Sequence, residues 1–243
     1  MYNYLDYKFH IDYSKVDNTV YLSFDSIFDI TQIAITEFFK TIGFDNLTMK
    51  NKYDSAWVIT KTKLKINKLP YWGENIKTKT YITNIKPVKA DVETAFYDMN
   101  DNLIMVIKDE MCVIDLNIRK IRKLKDFSFD EQETKESIIS ESYEPIDTTD
   151  LELYDNIKVK FCDIDCTNHT NNVSYIRFIM NSLGKDFFNN VDILLVDMQY
   201  RHESLIDDKL DIYKSDMNNT LNILIKKEDN DIFSIRIEYK NKS

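Results

Sequence analysis

Apolar residues recur on one helical stripe in two stretches of the chain, and each stretch is followed by segments in which apolar and polar residues alternate. In the first stretch Ile27, Ile30, Ala34 and Phe38 share a face, with Ser26-x-x-Asp29 as a capping-box-like start and Gly43 as the stop. In the second, Val173, Ile176, Met180 and Leu183 share a face, so a helix is expected to begin near Asn171 and end at Gly184. After the first helix, Val58 to Ile66 alternates with Lys61, Lys63 and Lys65 and predicts a half-exposed strand. Residues 74–83, 90–98 and 103–115 predict three more strands. After the second helix, residues 193–204, 210–216, 219–227 and 232–239 repeat that order.

A helix followed by an antiparallel sheet, occurring twice, implies an α+β chain with two similar halves, each sheet wrapped on its own helix. The expected division is an N-terminal domain over 1–125, a linker over 126–154 and a C-terminal domain over 155–243. The linker assignment rests on an acidic, weakly periodic composition that includes Pro145.

The 43% hydrophobic and 13% aromatic content supports a packed core and excludes whole-chain disorder. No stretch approaches the roughly 18–20 apolar residues of a membrane helix, so no membrane association is expected. The start, Met1 to Lys8, lacks the basic and apolar regions of a secretory leader. Cys112, Cys162 and Cys166 form no even framework, which points to a reduced, cytoplasmic protein. The three glycines, Gly43, Gly73 and Gly184, lie too far apart to build a GxGxxG or GxxxxGK loop, and a net charge of −9 argues against nucleic-acid binding. One basic run breaks the acidic balance: Arg119, Lys120, Arg122, Lys123 and Lys125. It reads as a solvated strand end or as a docking patch for an acidic partner.

The densest chemistry lies in Asp163-Ile-Asp165-Cys-Thr167-Asn-His169-Thr-Asn171-Asn172, just ahead of the second helix. Carboxylates, an imidazole and amides gathered at a helix start suit work on a carbonyl, since unpaired N–H groups and a partial positive charge meet there. The residue at position 203, a glutamate, follows His169 by 34 positions in Tyr200-Arg201-His-Glu203-Ser204. Together with Trp57-Val58, Pro70-Tyr-Trp72-Gly73-Glu74-x-Ile76 and Ile114-Asp115-Leu-x-x-Arg119-Lys-Ile121, these motifs resemble the acyl-ACP thioesterase family over most of the chain.

That resemblance implies two tandem hotdog domains and hydrolysis of fatty acyl-ACP to free fatty acid and carrier protein, without metal or cofactor. It implies Asp165, Thr167, His169 and Glu203 as catalytic residues, with Glu203 as general base, Asp165 holding the water or the base, and His169 orienting Asp165 or the water or acting as base itself. The amides of Thr170 to Asn172, at the expected helix start, read as oxyanion donors. Two departures stand out: the family's motif asparagine is Thr167, and the cysteine after its glutamate is Ser204. A threonine hydroxyl still donates one hydrogen bond, whereas a cysteine nucleophile is ruled out at that position.

Superposing Gly43 on Gly184 sets Phe24, Ser26 and Phe28 opposite Asp165, Thr167 and His169, and strand alignment sets Leu69 opposite Glu203. One active site is therefore expected per chain, in the second half. The first half would line the acyl pocket with Ile30, Ala34, Phe38, Trp57, Phe96 and Met105. Acylated carrier protein is the implied partner, docking at the basic run. The alternatives are an acyl-CoA thioesterase and a catalytically weak acyl-thioester-binding protein of the same fold; whether the chain forms a homodimer stays open.

Overall fold

A computed structural model of the chain describes residues 4–242; Met1 to Asn3, part of the stretch read for a leader, lie outside them. The chain divides into two compact units, Met1–Ser142 and Tyr143–Ser243, a cut that falls within residues 126–154.

In the first unit, β1 (Leu5–His10) precedes the long helix α1 (Phe24–Ile42) and a short helix α2 (Asn46–Tyr53). Then come β2 (Ser55–Ile66), β3 (Asn75–Ile85), β4 (Ala90–Tyr97), β5 (Leu103–Asp115) and β6 (Ile121–Arg122). The antiparallel order is β1-β3-β4-β5-β2, with β6 on β5. Helix α1 starts earlier than its sequence pattern suggests: Ser23 is the N-cap, its Oγ 2.6 Å from Asp25 and 2.8 Å from Ser26. Ser26 is thus a buried residue of the first turn. At the other end Gly43, with φ 79°, takes the left-handed conformation that closes a helix at little cost without a Cβ. Helix α2 had no periodic signal; Asp45 caps it through bonds from Leu47 N and Thr48 N, both 3.1 Å.

The core of this unit joins Ile35, Phe38 and Phe39 of α1 to Trp57, Val92 and Met111 of the sheet. Phe127 and Phe129, in two 3-10 turns (Leu124–Phe127 and Phe129–Glu131), are buried in it as well. On the sheet's opposite face the segment 137–141 is fastened down. Glu93, fully buried, accepts from Tyr81 Oη and Ile138 N (2.8 Å each) and from Ser137 Oγ, while Lys108 Nζ donates to Ile139 O at 2.7 Å. The expectation of a half-exposed β2 fails at Lys63, which is paired in register with Lys108 and fully buried, whereas Lys61 is partly buried and Lys65 exposed.

Asp109 points to the helix-facing side, buried beside Val92 and Thr62 in register, and Thr62 Oγ1 donates to its Oδ1. Its neighbours on that face, Ile107 and Met111, carry no charge. Burial raises its carboxyl from 3.8 to about 7, opposed only by the Thr62 bond. Below pH 4 folded and unfolded chains both hold the proton; between about 4 and 7 only the native state keeps it. Stability should therefore fall as pH rises through that window, by up to roughly 4 kcal/mol, and then level off. Urea unfolding of wild type and Asp109→Asn at both ends of the window checks this: the variant should lack that component of the slope, and identical slopes would refute it.

In the second unit, β7 (Glu152–Lys158) precedes α3 (Asn172–Asn190), β8 (Val191–Tyr200), β9 (Lys209–Met217), β10 (Thr220–Lys227) and β11 (Asn230–Asn241). The antiparallel order is β8-β11-β10-β9-β7. Tyr175 of α3 stacks on Phe233 of β11 (5.4 Å, 7°), which marks the face that buries Met198, Ile235 and Ile237. Gly184 does not end the helix. It makes a kink at φ 73° and ψ 175°, a conformation essentially reserved for glycine, and helical structure resumes to Asn190. Each unit is thus a long helix laid on an antiparallel sheet, the α+β hotdog arrangement. Among the described residues no helix is long and apolar enough to cross a membrane.

Candidate active site

The polar segment before α3 folds as a tight loop in the second unit. Ile164 and Thr170 form an antiparallel bridge, Asp165 N donates to His169 O (2.9 Å), and Asn168 N donates to Asp165 O (3.1 Å). Asn168 turns the chain at φ 64°, which asparagine tolerates better than most residues. Asn171 then caps α3, its Oδ1 accepting from Val173 N at 2.9 Å.

Within this loop Asp165 Oδ1 accepts from Thr167 N (2.7 Å) and Thr167 Oγ1 (2.6 Å). Thr167 Oγ1 also lies 3.1 Å from His169 Nδ1, and His169 Nε2 lies 3.2 Å from Glu203 Oε2. All four residues singled out in the sequence therefore form one chain of contacts. Its proton order follows from valence. A hydroxyl has one hydrogen, and Thr167 gives it to Asp165, so the His169 contact requires Nδ1–H to donate to Thr167. Nε2 is left facing a carboxylate oxygen, and a bond there needs one shared proton, carried either by the imidazole or by Glu203. A group so arranged accepts and returns a proton at one spot. Glu203 is 44% exposed and His169 24%, so the shared position opens to solvent.

Glu203 reaches this corner by a different route from the one expected. Strand β8 ends at Tyr200, and Glu203 lies in the loop beyond it rather than within the strand expected over residues 193–204. Three hydroxyl-bearing residues pin that loop to the helix. Ser204 Oγ lies 2.7 Å from Thr170 Oγ1 and 2.9 Å from Tyr175 Oη, and Ser204 O accepts from Thr170 N at 2.9 Å. The Thr170 hydroxyl and Tyr175 were not singled out in the sequence. Only their immediate proximity to the motif could have flagged them.

The amides proposed as oxyanion donors are mostly spent. Thr170 N binds Ser204 O and Asn171 N binds Asp163 O (2.8 Å). Asn172 N, at the first helical position, is the remaining amide of the three, and a helix start leaves such groups without an internal partner. Among the described residues no cluster of His, Cys, Asp and Glu side chains has metal-holding geometry.

The basic run lies in the first unit. Arg122 is committed internally: its guanidinium donates to Tyr53 O (2.9 Å) and Ser55 Oγ (3.1 Å) and lies 4.6 Å above the Phe127 ring. Lys123 and Lys125 are exposed and, with Lys86, line a hollow of about 490 Å³.

Comparison with known proteins gives matches along the whole chain. The family model described as the acyl-ACP thioesterase N-terminal domain matches residues 3–131, and that of the C-terminal domain matches residues 146–241. The chain is 22% identical over 183 residues to the chloroplastic acyl-[acyl-carrier-protein] hydrolase FATB3 of Cuphea viscosissima, covering 70% of this chain and 43% of that protein. It is 23% identical over 186 residues to the chloroplastic oleoyl-acyl carrier protein thioesterase 1 of Arabidopsis thaliana, covering 71% and 51%. The chain thus spans about half the length of these curated relatives. Its fold matches the crystal structure of an acyl-ACP thioesterase from Bacteroides thetaiotaomicron (TM-score 0.90, 21% identity, 98% of each chain). It also matches a 12:0-ACP thioesterase from Umbellularia californica (TM-score 0.89, 15% identity, 100% of this chain and 99% of the other). The chain belongs to the acyl-ACP thioesterase family.

Proposed function

We propose that this chain hydrolyses fatty acyl-ACP to free fatty acid and carrier protein, with water activated at the Asp165–Thr167–His169–Glu203 corner. The observation that carries the reading is the 3.2 Å contact between His169 Nε2 and Glu203 Oε2, tied through Thr167 to Asp165. A water beside Glu203 loses its proton to the His169–Glu203 pair as its oxygen attacks the thioester carbonyl carbon. The tetrahedral oxyanion is met by an N–H donor, for which Asn172 is our assignment. When the C–S bond breaks, the pair returns the proton to the departing thiolate. Asp165 and Thr167 fix the imidazole's Nδ1–H, and so hold its other nitrogen ready at the reacting side.

In this reading residues 1–125 hold the acyl chain and residues 155–243 carry the chemistry. The acidic carrier protein meets Lys120, Lys123 and Lys125, joined by Lys86, while Arg122 shapes the patch from within. A cytoplasmic setting suits the three cysteines, all of them free thiols.

The test is release of free thiol from purified protein given acyl-ACP thioesters of several lengths and the matching acyl-CoA thioesters. The expected result is kcat/KM about tenfold or more higher on the carrier-protein substrates, with KM for them rising with salt. No hydrolysis of either series would overturn the hydrolase reading and leave an acyl-thioester-binding protein. A preference for acyl-CoA would overturn the carrier assignment.

A further inference from the structure

The helix-facing side of the first unit's sheet is less apolar than a wall for a plain hydrocarbon needs to be. Thr62, Thr78, Thr80, Thr94 and Asp109 all stand on it and are all at least 98% buried. Their placement follows from the register. Ile82 and Val92, which pack with Phe38 of α1, pair with each other across β3 and β4; Thr80 pairs with Thr94 one step along, and Thr78 with Phe96 two steps along. Val92 pairs onward with Asp109, and Asp109 with Thr62. The row Thr80–Thr94 thus lies beside the row Asp109–Thr62, with Ile107 and Leu64 completing the first.

Thr78 Oγ1 donates to Tyr7 O at 3.5 Å; the other four retain hydrogen-bonding capacity. Thr80 Oγ1 and Thr94 Oγ1 lie 3.0 Å apart, a bond that uses one of their two hydrogens. Thr62 engages Asp109 at Oδ1, one oxygen of its carboxyl. Valine would fill each threonine position with the same shape and no polar atom, so a wall for a saturated alkyl chain gains nothing from hydroxyls that bond only to one another and to Asp109.

We infer that the first unit selects acyl chains carrying an oxygen function, a hydroxyl or a ketone, whose oxygen bonds to the Thr80–Thr94 pair and the Asp109–Thr62 pair. This rests on the reading that the first unit holds the acyl chain. A chain hydroxyl donates to the Asp109 carboxyl and accepts from the spare threonine hydrogen. A site built to bond a substrate hydroxyl discriminates strongly against the analogue that lacks it, because its own polar groups are then left unpaired. Burial also keeps Asp109 a neutral acid below about pH 7, able to donate to a ketone oxygen.

The experiment compares octadecanoyl-ACP with positional isomers of hydroxyoctadecanoyl-ACP. In parallel, calorimetry compares binding of the corresponding free hydroxy acids and octadecanoate. At least one isomer should show kcat/KM about tenfold or more above octadecanoyl-ACP, and its free acid should bind tighter by a similar factor. Thr94→Val, an isosteric change, and Asp109→Leu should each shrink that ratio to within about twofold. Equal or better handling of the unsubstituted chain against every isomer overturns the inference, as does a preference that survives both substitutions. The two arms separate this from the hydrolase reading: tighter hydroxy-acid binding without turnover sinks the hydrolase alone, and turnover without hydroxyl preference sinks the selectivity alone.

Discussion

Glu203→Gln should lower kcat on acyl-ACP by about 10²–10⁴-fold, the range for loss of a general base, while leaving the circular dichroism spectrum and melting temperature near wild type. Glutamine keeps the side chain's size but carries no proton-accepting oxygen of comparable basicity, so no carboxylate faces His169 Nε2 to take a proton from water or to stabilise one held there. The residue is 44% exposed, so the change removes chemistry without opening the core. His169→Asn should fall in the same range, and the double variant should be little worse than either single one, because the two act as one unit. Thr167→Val should lose less, about tenfold by our estimate for a misplaced partner, since it breaks the Asp165–Thr167–His169 relay but leaves the His169–Glu203 contact. Thr167→Asn, which supplies the family's usual residue, should retain more activity than Thr167→Val. Steady-state kinetics with single-turnover controls reads all of these. Full activity in Glu203→Gln would remove this corner from the mechanism.

Glu93→Ala should destabilise the first unit by about 3–5 kcal/mol, the usual cost of removing one partner from a buried charged network. The substitution leaves Tyr81 Oη and the Ile138 and Ile139 amides without this acceptor, and Lys108 without its strongest negative neighbour, while Ser137 Oγ keeps only its bond to Ile139 O. Each buried donor stripped of its partner costs about 1–3 kcal/mol. In a chain of this length the change corresponds to a drop of roughly 10 °C in melting temperature. Protection of the amides of Ile138 and Ile139 against hydrogen exchange should fall with it, because those are the groups Glu93 holds. Burial already pulls the Lys108 ammonium below its ordinary range, against the attraction of Glu93 and Asp91. Losing Glu93 therefore removes the main compensation for a charge that has left water. A melting temperature within about 2 °C of wild type, where under 1 kcal/mol has been lost, would show that the fastening of 137–141 contributes little.

The architecture was legible because its signals are local. A 3.6-residue apolar stripe makes a helix wherever a sheet receives it, and period-two alternation makes a strand in the same way. The β5 range of Leu103–Asp115 matches its sequence pattern end to end, and α1 and α3 appear where the stripes fall. What went astray depended on packing. Lys63 alternates like a solvated lysine, yet it is fully buried while Lys65, two positions on along the same face, is exposed. Gly184 has the look of a helix stop, yet the chain resumes its helix after one glycine-only conformation. Residues 127 and 129 sit in a stretch too aperiodic to announce that their phenylalanines enter the core.

The candidate site divides along the same line. Sequence by itself determined which side chains gather before the second helix, that the family resemblance runs through both halves, and that the first half has apolar residues where the second has acids and an imidazole. Those are matters of residue type and spacing, carried in full by the order of the chain. Only tertiary structure decided that Glu203 meets His169 from a loop pinned by Ser204, Thr170 and Tyr175, and that the amides of Thr170 and Asn171 are already engaged. Only it decided that Asp109 and a set of threonines turn inward. A hydrogen bond is made between groups 34 positions apart or adjacent with equal ease once the backbone brings them within about 3 Å. One-dimensional order carries no such distance, and burial, which sets the cost of each unpaired polar group, exists only after the sheets and helices have closed over it.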